Sequence, residues 1–249
     1  MLRNYYSLSL FLGGVLLLSS CAKEGPTGPT GPAGPAYTGT ISGHVSLYDQ
    51  YGSKVLLNLD SVKLTLSGTT TAINPDNNGF YSYSSLITGE YSIAASNSGY
   101  GATNTNNFQF LSGTLNRDIK LSAIPSFSLS FTYAGPAASL NDSLVINCQP
   151  SDPQARNCII FVGNTPSVGA GEANYLLSYV KAIPANAQKI TGIISAQELY
   201  NAGFTSGSTA YYAVYSYPVN DQSVYEDQAT GKNVYNAVSN PQIDSALVP

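Results

Sequence analysis

The chain has 249 residues, a formal net charge of −4 and only 10% charged residues, against about 25% in an ordinary soluble domain. Ser, Thr, Asn, Gly and Tyr fill the difference, which predicts the neutral polar surface of an exported β-protein. Without a cluster of Lys and Arg, nucleic acid is not expected as a partner. The single His and the absence of Trp argue against a histidine-built metal centre and weaken a sugar platform of large aromatic faces.

Arg3 precedes an apolar run from Leu8 to Leu18, and Ser19-Ser20-Cys21 follows it. A charged start, an apolar middle and small residues before a cut are the layout of a secretory signal peptide. The run is about eleven residues, short of the about 20 a spanning helix needs. Leu18-Ser19-Ser20-Cys21 resembles the lipobox of bacterial lipoproteins. That resemblance implies removal of residues 1–20, a diacylglyceryl thioether on Cys21 and acylation of the new N-terminus. Each buried methylene contributes about 0.8 kcal/mol, so two or three chains would hold the protein on a membrane essentially permanently. Ala22 is no inner-membrane retention acid, so the expected location is the outer membrane, periplasmic or surface-exposed. What remains after residue 20 suffices for one large or two ordinary domains.

Gly25 to Ala36 is four consecutive Gly-Pro-X triplets. They resemble collagen, where Pro fixes polyproline II and Gly occupies the axis of a triple helix. Four triplets are few for a stable trimer. The preferred reading for residues 21–38 is a stiff spacer, twelve residues at about 3.1 Å giving roughly 37 Å of stand-off.

From Thr40 the pattern alternates with period two: Ile41, Gly43, Val45 and Leu47 on one face, Ser42, His44, Ser46 and Tyr48 on the other. This predicts a half-buried strand with His44 toward solvent. Further strands are expected at Val62–Leu66, Phe80–Tyr83, Tyr91–Ala94, Phe108–Leu111 and Leu115–Leu121. Turns fall at 49–52, Asn78-Gly79 and Thr88-Gly89, and Gly99-Tyr100-Gly101 breaks a strand. Short strands so spaced predict an antiparallel sandwich. The order of Gly39–Val45, Val62–Thr69, Asp76–Tyr81, Leu86–Tyr91 and Gly99-Tyr100 resembles a carboxypeptidase regulatory-like (transthyretin-like) domain over 39–123. The apolar stretch from Gly52 to Asp60, with Val55, Leu56, Leu57 and Leu59, departs from its usual short turn. The resemblance implies a non-catalytic β-sandwich and transfers no active-site residue.

Ile124-Pro125 marks a boundary, because Pro interrupts strand pairing. Strands are expected at Phe127–Tyr133, Ser143–Cys148, Cys158–Val162, Asn174–Lys181, Lys189–Ser195, Ala210–Tyr217 and, after the turn Thr230-Gly231, Asn233–Val238. Ala196 to Gly203 reads as one or two helical turns ended by glycine. The Tyr-rich run 210–217 through Tyr235 loosely resembles the last strands of a fibronectin type III or immunoglobulin-like sandwich, covering 124–249. Its tyrosines are expected in cross-strand packing rather than as a ligand platform. The predicted fold class is therefore all-β, with two consecutive antiparallel sandwiches behind a signal peptide and a collagen-like spacer.

Outside the cytoplasm, Cys148 and Cys158 are close enough in sequence to predict a disulfide, worth roughly 2.5–3 kcal/mol by loop entropy. Ser61, Ser143 and Ser245 each follow Asp and precede an apolar residue, which resembles the Bacteroidota O-glycosylation acceptor. No catalytic constellation emerges: His44 stands alone, no Gly-x-Ser-x-Gly is present for a serine triad and no phosphate loop occurs. Asp221, Glu226 and Asp227 read as a polar turn rather than an acid pair or a calcium site. No metal and no cofactor are implied. The expectation is a non-catalytic structural or binding lipoprotein, with the membrane as partner through its anchor and an unidentified protein or glycan as ligand. The alternative is an accessory ligand- or glycan-binding component of a nutrient-uptake system.

Overall fold

A computed structural model describes residues 37–133, 141–148, 153–171 and 174–249, with 133 and 141–148 described by their backbone. Residues 36–249 form one compact unit. Cys21 and the Gly-Pro-X tract lie outside the described residues. Among the described residues the fold is all-β with one short α-helix, and no described helix is long and apolar enough to cross a membrane.

In the first half, β1 (Thr38–Tyr48), β2 (Lys54–Val55), β3 (Lys63–Leu66), β4 (Phe80–Ile87) and β5 (Gly89–Tyr91) are followed by β6 (Ile93–Ser96), β7 (Thr103–Asn104), β8 (Phe108–Phe110), β9 (Gly113–Asn116) and β10 (Ile119–Ser122). The long strand β1 is the hub. It pairs antiparallel with β4 and β2, and parallel with β9 and β10. The two parallel pairs add to the antiparallel pairing that the alternation predicts. The opposing layer is β3-β6-β7, with β5-β8 beside it. Alternation buries Ile41, Val45 and Leu47 of β1 against Leu64, Leu66 and Ile93, while His44 is exposed as its position predicts.

The strand expected at Leu115–Leu121 is two strands. Both keep one register against β1, since Ile41 opposes Leu115 and Val45 opposes Ile119, so the interruption at Arg117-Asp118 is local. Gly43 explains it: a Cβ there would lie 1.9 Å from the Arg117 carbonyl oxygen. The backbone closes onto the bare glycine, and Asp118 Oδ1 accepts the His44 N–H (2.9 Å) in place of a ladder bond. The Asn78-Gly79 turn forms as expected, with Gly79 at φ 84 and Asp76 Oδ1 accepting from the N–H groups of Asn78 and Phe80.

The second half contains β11 (Leu129–Tyr133), β12 (Asn141–Cys148), β13 (Arg156–Gly163), β14 (Leu177–Ile183), β15 (Lys189–Ser195), α1 (Ala196–Asn201), β16 (Thr209–Tyr217), β17 (Tyr225–Asp227), β18 (Lys232–Val234) and β19 (Gln242–Leu247). Sheet β11-β12-β15 faces sheet β14-β13-β16-β19 across a core that includes Phe127, Leu129, Cys158, Ile160, Tyr212 and Val214. Ser195 and Glu198 form a capping box on α1, and Gly203 (φ 95) follows its end.

Two expectations fail here. The segment Asn233–Val238 is not the last strand; β18 covers only its start and closes a hairpin with β17. The last strand is β19, paired with β16. Only Ala246 of β19 is buried, so no alternation marked it in the sequence. The strand expected from Asn174 begins only at Leu177.

Strand β16 is buried on both faces. Tyr212 points into the inter-sheet core, while Tyr215 and Tyr217 point outward beneath Val168, Ala170 and Val238. Phe161 sits among them, 5.5 Å from Tyr215 and 5.4 Å from Tyr235 in edge-on geometry. The tyrosine ladder therefore packs as expected.

Candidate functional site at the seam between the halves

The two halves meet through backbone and small side chains. Ser122, at the end of β10, is fully buried. Its N–H donates to Ser223 Oγ (2.7 Å) and its Oγ accepts the Gln222 N–H (2.8 Å). Val219 N–H donates to the Gln50 carbonyl (3.0 Å), and Asn236 Nδ2 donates to the Ala102 carbonyl (2.9 Å). At the centre, Gly101 meets Ala237 so closely that a Cβ would lie 2.4 Å from the Ala237 nitrogen. Only glycine permits that approach.

Asp221 lies in this seam. Its Oδ1 accepts the Ser223 N–H (2.7 Å), but its Oδ2 is buried with no hydrogen-bond partner. Burial pushes the carboxyl above its ordinary range, and the donors around it, Ser223 first, oppose this without reversing it. A carboxyl raised by folding favours the folded state while protonated, below its ordinary range. That contribution is lost as pH rises through the raised value. Asp221→Asn keeps the Oδ1 acceptor and cannot ionise. Its melting temperature is expected to exceed that of the parent at neutral pH, because the variant has no charge to bury there. The gap should close as pH falls below the carboxylate range. A gap independent of pH would contradict the assignment.

Docking opens a groove of about 250 Å³ on the outer side of β3-β6-β7. Lys63, Thr65, Ser96 and Asn104 line its floor, and Tyr225 and Asn236 supply the opposite wall. Lys63 is the one charged residue among its lining. Asn104, one of the lining residues, has an Oδ1 that is buried without a partner, where a buried polar group normally finds a bond. Hydroxyl, amide and phenol groups line it, which suits a hydroxyl-rich ligand more than a strongly charged one. A second cavity, about 440 Å³, runs beside the linker between Ile124–Leu129 and Val238–Gln242. It contains none of the unpaired buried polar atoms found among the described residues.

The residues singled out in the sequence do not converge on this groove. His44 is exposed and sits 5.5 Å from the Phe80 ring. Asp227 holds its own turn, its carboxyl kept below the usual range first by the Thr230 hydroxyl and then by the Thr230 N–H. Asp221 holds a turn as expected, its Oδ1 accepting from Ser223 N–H, but it is half-buried in the seam. Among the described residues no group of three or more His, Cys, Asp or Glu could hold a metal. Ser61 is exposed on a 3-10 turn, where its Oγ donates to the Asn58 carbonyl (2.6 Å). Ser245 is exposed on β19, opposite Tyr211. Ser143 stands opposite Ile193 in β12. Cys148 stands opposite Leu129, and Leu129 shares a core with the fully buried Cys158. The Cys148 side chain, and with it the expected disulfide, lies outside the described residues.

Sequence reasoning missed Ser122, Ser223, Asn104 and Asn236. Their contacts span about a hundred residues or more, and no local pattern marks them. The one available signal was the Gly99-Tyr100-Gly101 break, read as a strand end rather than as a contact surface.

No family model matches the sequence and no curated protein is similar to it. The resemblance of 39–123 to carboxypeptidase regulatory-like domains therefore rests on motif order alone. Among solved structures, the chain is similar to a putative carbohydrate binding protein from Bacteroides uniformis (15% identity, TM-score 0.33, covering 84% of this chain and 100% of that one). It is also similar to DUF3823 family proteins from Bacteroides uniformis (13%, TM-score 0.32, 86% and 100%) and Bacteroides ovatus (16%, TM-score 0.28, 84% and 98%). Likenesses this distant transfer no residue and no role.

Proposed function

We propose that this chain is a non-catalytic binding module of the bacterial cell envelope, lipid-anchored at Cys21 to the outer membrane, whose two halves act as one head. The observation that carries the binding role is the groove at the seam. It is lined by residues of both halves, with the amides of Asn104 and Asn236 and a half-exposed Tyr225 gathered at one place. Its lining of hydroxyl, amide and phenol groups with a single charge, Lys63, favours a hydroxyl-rich glycan over a strongly charged ligand. This agrees with the low charge of the whole chain and with the reading as an accessory ligand-binding component. The location rests on the lipobox resemblance, and the spacer would present the head away from the lipid.

A glycan array probed with residues 22–249 tests the ligand class. Binding to a subset of neutral glycans is expected. Tyr225→Ala should weaken the best of these at least about tenfold, the size of one lost ring contact, with no change in melting temperature. Binding untouched by Tyr225→Ala, or confined to charged glycans, would remove the groove from the account.

A further inference from the structure

Among the described residues, the two facing sheets of the second half leave four edges: β11 and β15 on one, β14 and β19 on the other. Natural sheets blunt such edges with Lys, Pro or a bulge. Strand β14 carries Lys181 and β15 carries Lys189, while β11 turns Leu129 and Phe131 into the core. Strand β19 has none of these devices. From Gln242 to Leu247 it contains no Lys, Arg or Pro, and its pairing with β16 runs without a register shift. It also exposes Ile243 (49%) and Leu247 (66%). Both lie on one face, since they stand opposite Ala213 and Thr209, two positions either side of Tyr211.

The backbone of this edge is open as well. Val248 N–H donates to the Ser208 carbonyl (2.8 Å), and the Val248 carbonyl accepts the Gly207 N–H (2.8 Å). An antiparallel ladder alternates, so Gln242, Asp244 and Ala246 bond toward β16 while Ile243, Ser245 and Leu247 aim their N–H and C=O away from it. The Ser245 N–H fits this alternation, because it donates to the side chain of its own neighbour, Asp244 Oδ1 (2.8 Å).

What covers the edge follows from its own sequence. Laid antiparallel on a second copy about a twofold axis at Ser245, Ile243 meets the partner's Leu247 and Ser245 meets the partner's Ser245. Each facing pair then joins outward N–H and C=O groups, about six bonds in all. Asp244 falls opposite the partner's Ala246. The neighbouring registers are worse. One sets Asp244 against the partner's Asp244, a like-charge pair. The other sets Ile243 against the partner's Pro249, which has no N–H to give.

We propose that β19 is a homodimerisation edge, at which two copies of this chain join antiparallel through Ser245 and continue the sheet β14-β13-β16-β19 across a twofold axis. The contact is isologous and closes at two copies. It uses neither the lipid nor the seam groove, so its failure leaves both of those readings standing.

Sedimentation equilibrium of unlipidated residues 22–249 should show a monomer–dimer equilibrium. Ser245→Pro removes the N–H at the axis, at an edge position where the sheet itself does not use it. It should weaken the dimer at least about tenfold with the melting temperature little changed. Ile243→Lys and Leu247→Glu should each weaken it as much. Combined in one chain they should restore it, because in this register each new ammonium faces a new carboxylate across the axis. Val180→Lys, on the β14 edge, is the control and should leave the dimer unchanged. A monomer at every concentration, an assembly larger than two, a dimer indifferent to Ser245→Pro, or a double variant no tighter than the single ones would overturn the proposal. So would a glycan mass on Ser245 in the protein isolated from its own cells, since that sugar would close the edge.

Discussion

Gly101→Val is expected to undock the two halves. The backbone nitrogen and Cα of Ala237 would lie 2.4 and 2.7 Å from the new Cβ, and neither is the movable end of a side chain. Ala237 is itself fully buried, so the clash can be relieved only by separating the loops around 101 and 237. Overpacking of this kind costs about 1–3 kcal/mol or more. Separation also loses the buried exchange between Ser122, Gln222 and Ser223. Each of those bonds contributes about 1 kcal/mol, and more if a buried group is left unpaired. The total, about 3–5 kcal/mol, should be enough to uncouple the halves while each retains its own core. Scanning calorimetry should then resolve two transitions, and glycan binding at the groove should fall below detection. Gly171→Ala, where an added Cβ meets nothing within 4 Å, is the matched control and should leave both readouts unchanged.

Cys21→Ser should have the largest effect in the cell. If the thiol carries the lipid, the substitution removes the only acceptor for it. Two or three acyl chains make release from a membrane negligible, whereas none leaves no anchor. Nearly all of the parent should fractionate with the outer membrane and incorporate labelled palmitate. The variant should incorporate none and should leave the membrane fraction or accumulate unprocessed. Parent protein found in the soluble fraction would remove the anchor from the account while leaving the groove and its ligand untouched.

The sequence was most legible where one strand buries one face or where a turn imposes a conformation. The alternation of Ile41, Val45 and Leu47 placed β1 and turned His44 to solvent. Asn78-Gly79 placed a turn, and Lys189–Ser195 marked β15 at its observed bounds. Legibility failed where the cause lay far along the chain. Leu115, Ile119 and Leu121 alternate straight through the Arg117 break, because that break is set by a missing Cβ at Gly43, on another strand. Strand β19 left no pattern because it is an edge strand, largely exposed. The candidate site was illegible for the same reason. Asn104 and Tyr225 are more than a hundred residues apart, and nothing near either one marks it as half of a groove. Asp221 looked like a turn acid because its burial comes from the other half of the molecule.

Everything proposed for the groove depends on the seam holding the halves as one body. Scanning calorimetry of unmodified residues 36–249 tests this most directly. One transition whose calorimetric and van't Hoff enthalpies agree is the predicted result. Two transitions in the parent protein, separable without any substitution, would mean that the halves are independent and that no fixed groove lies between them.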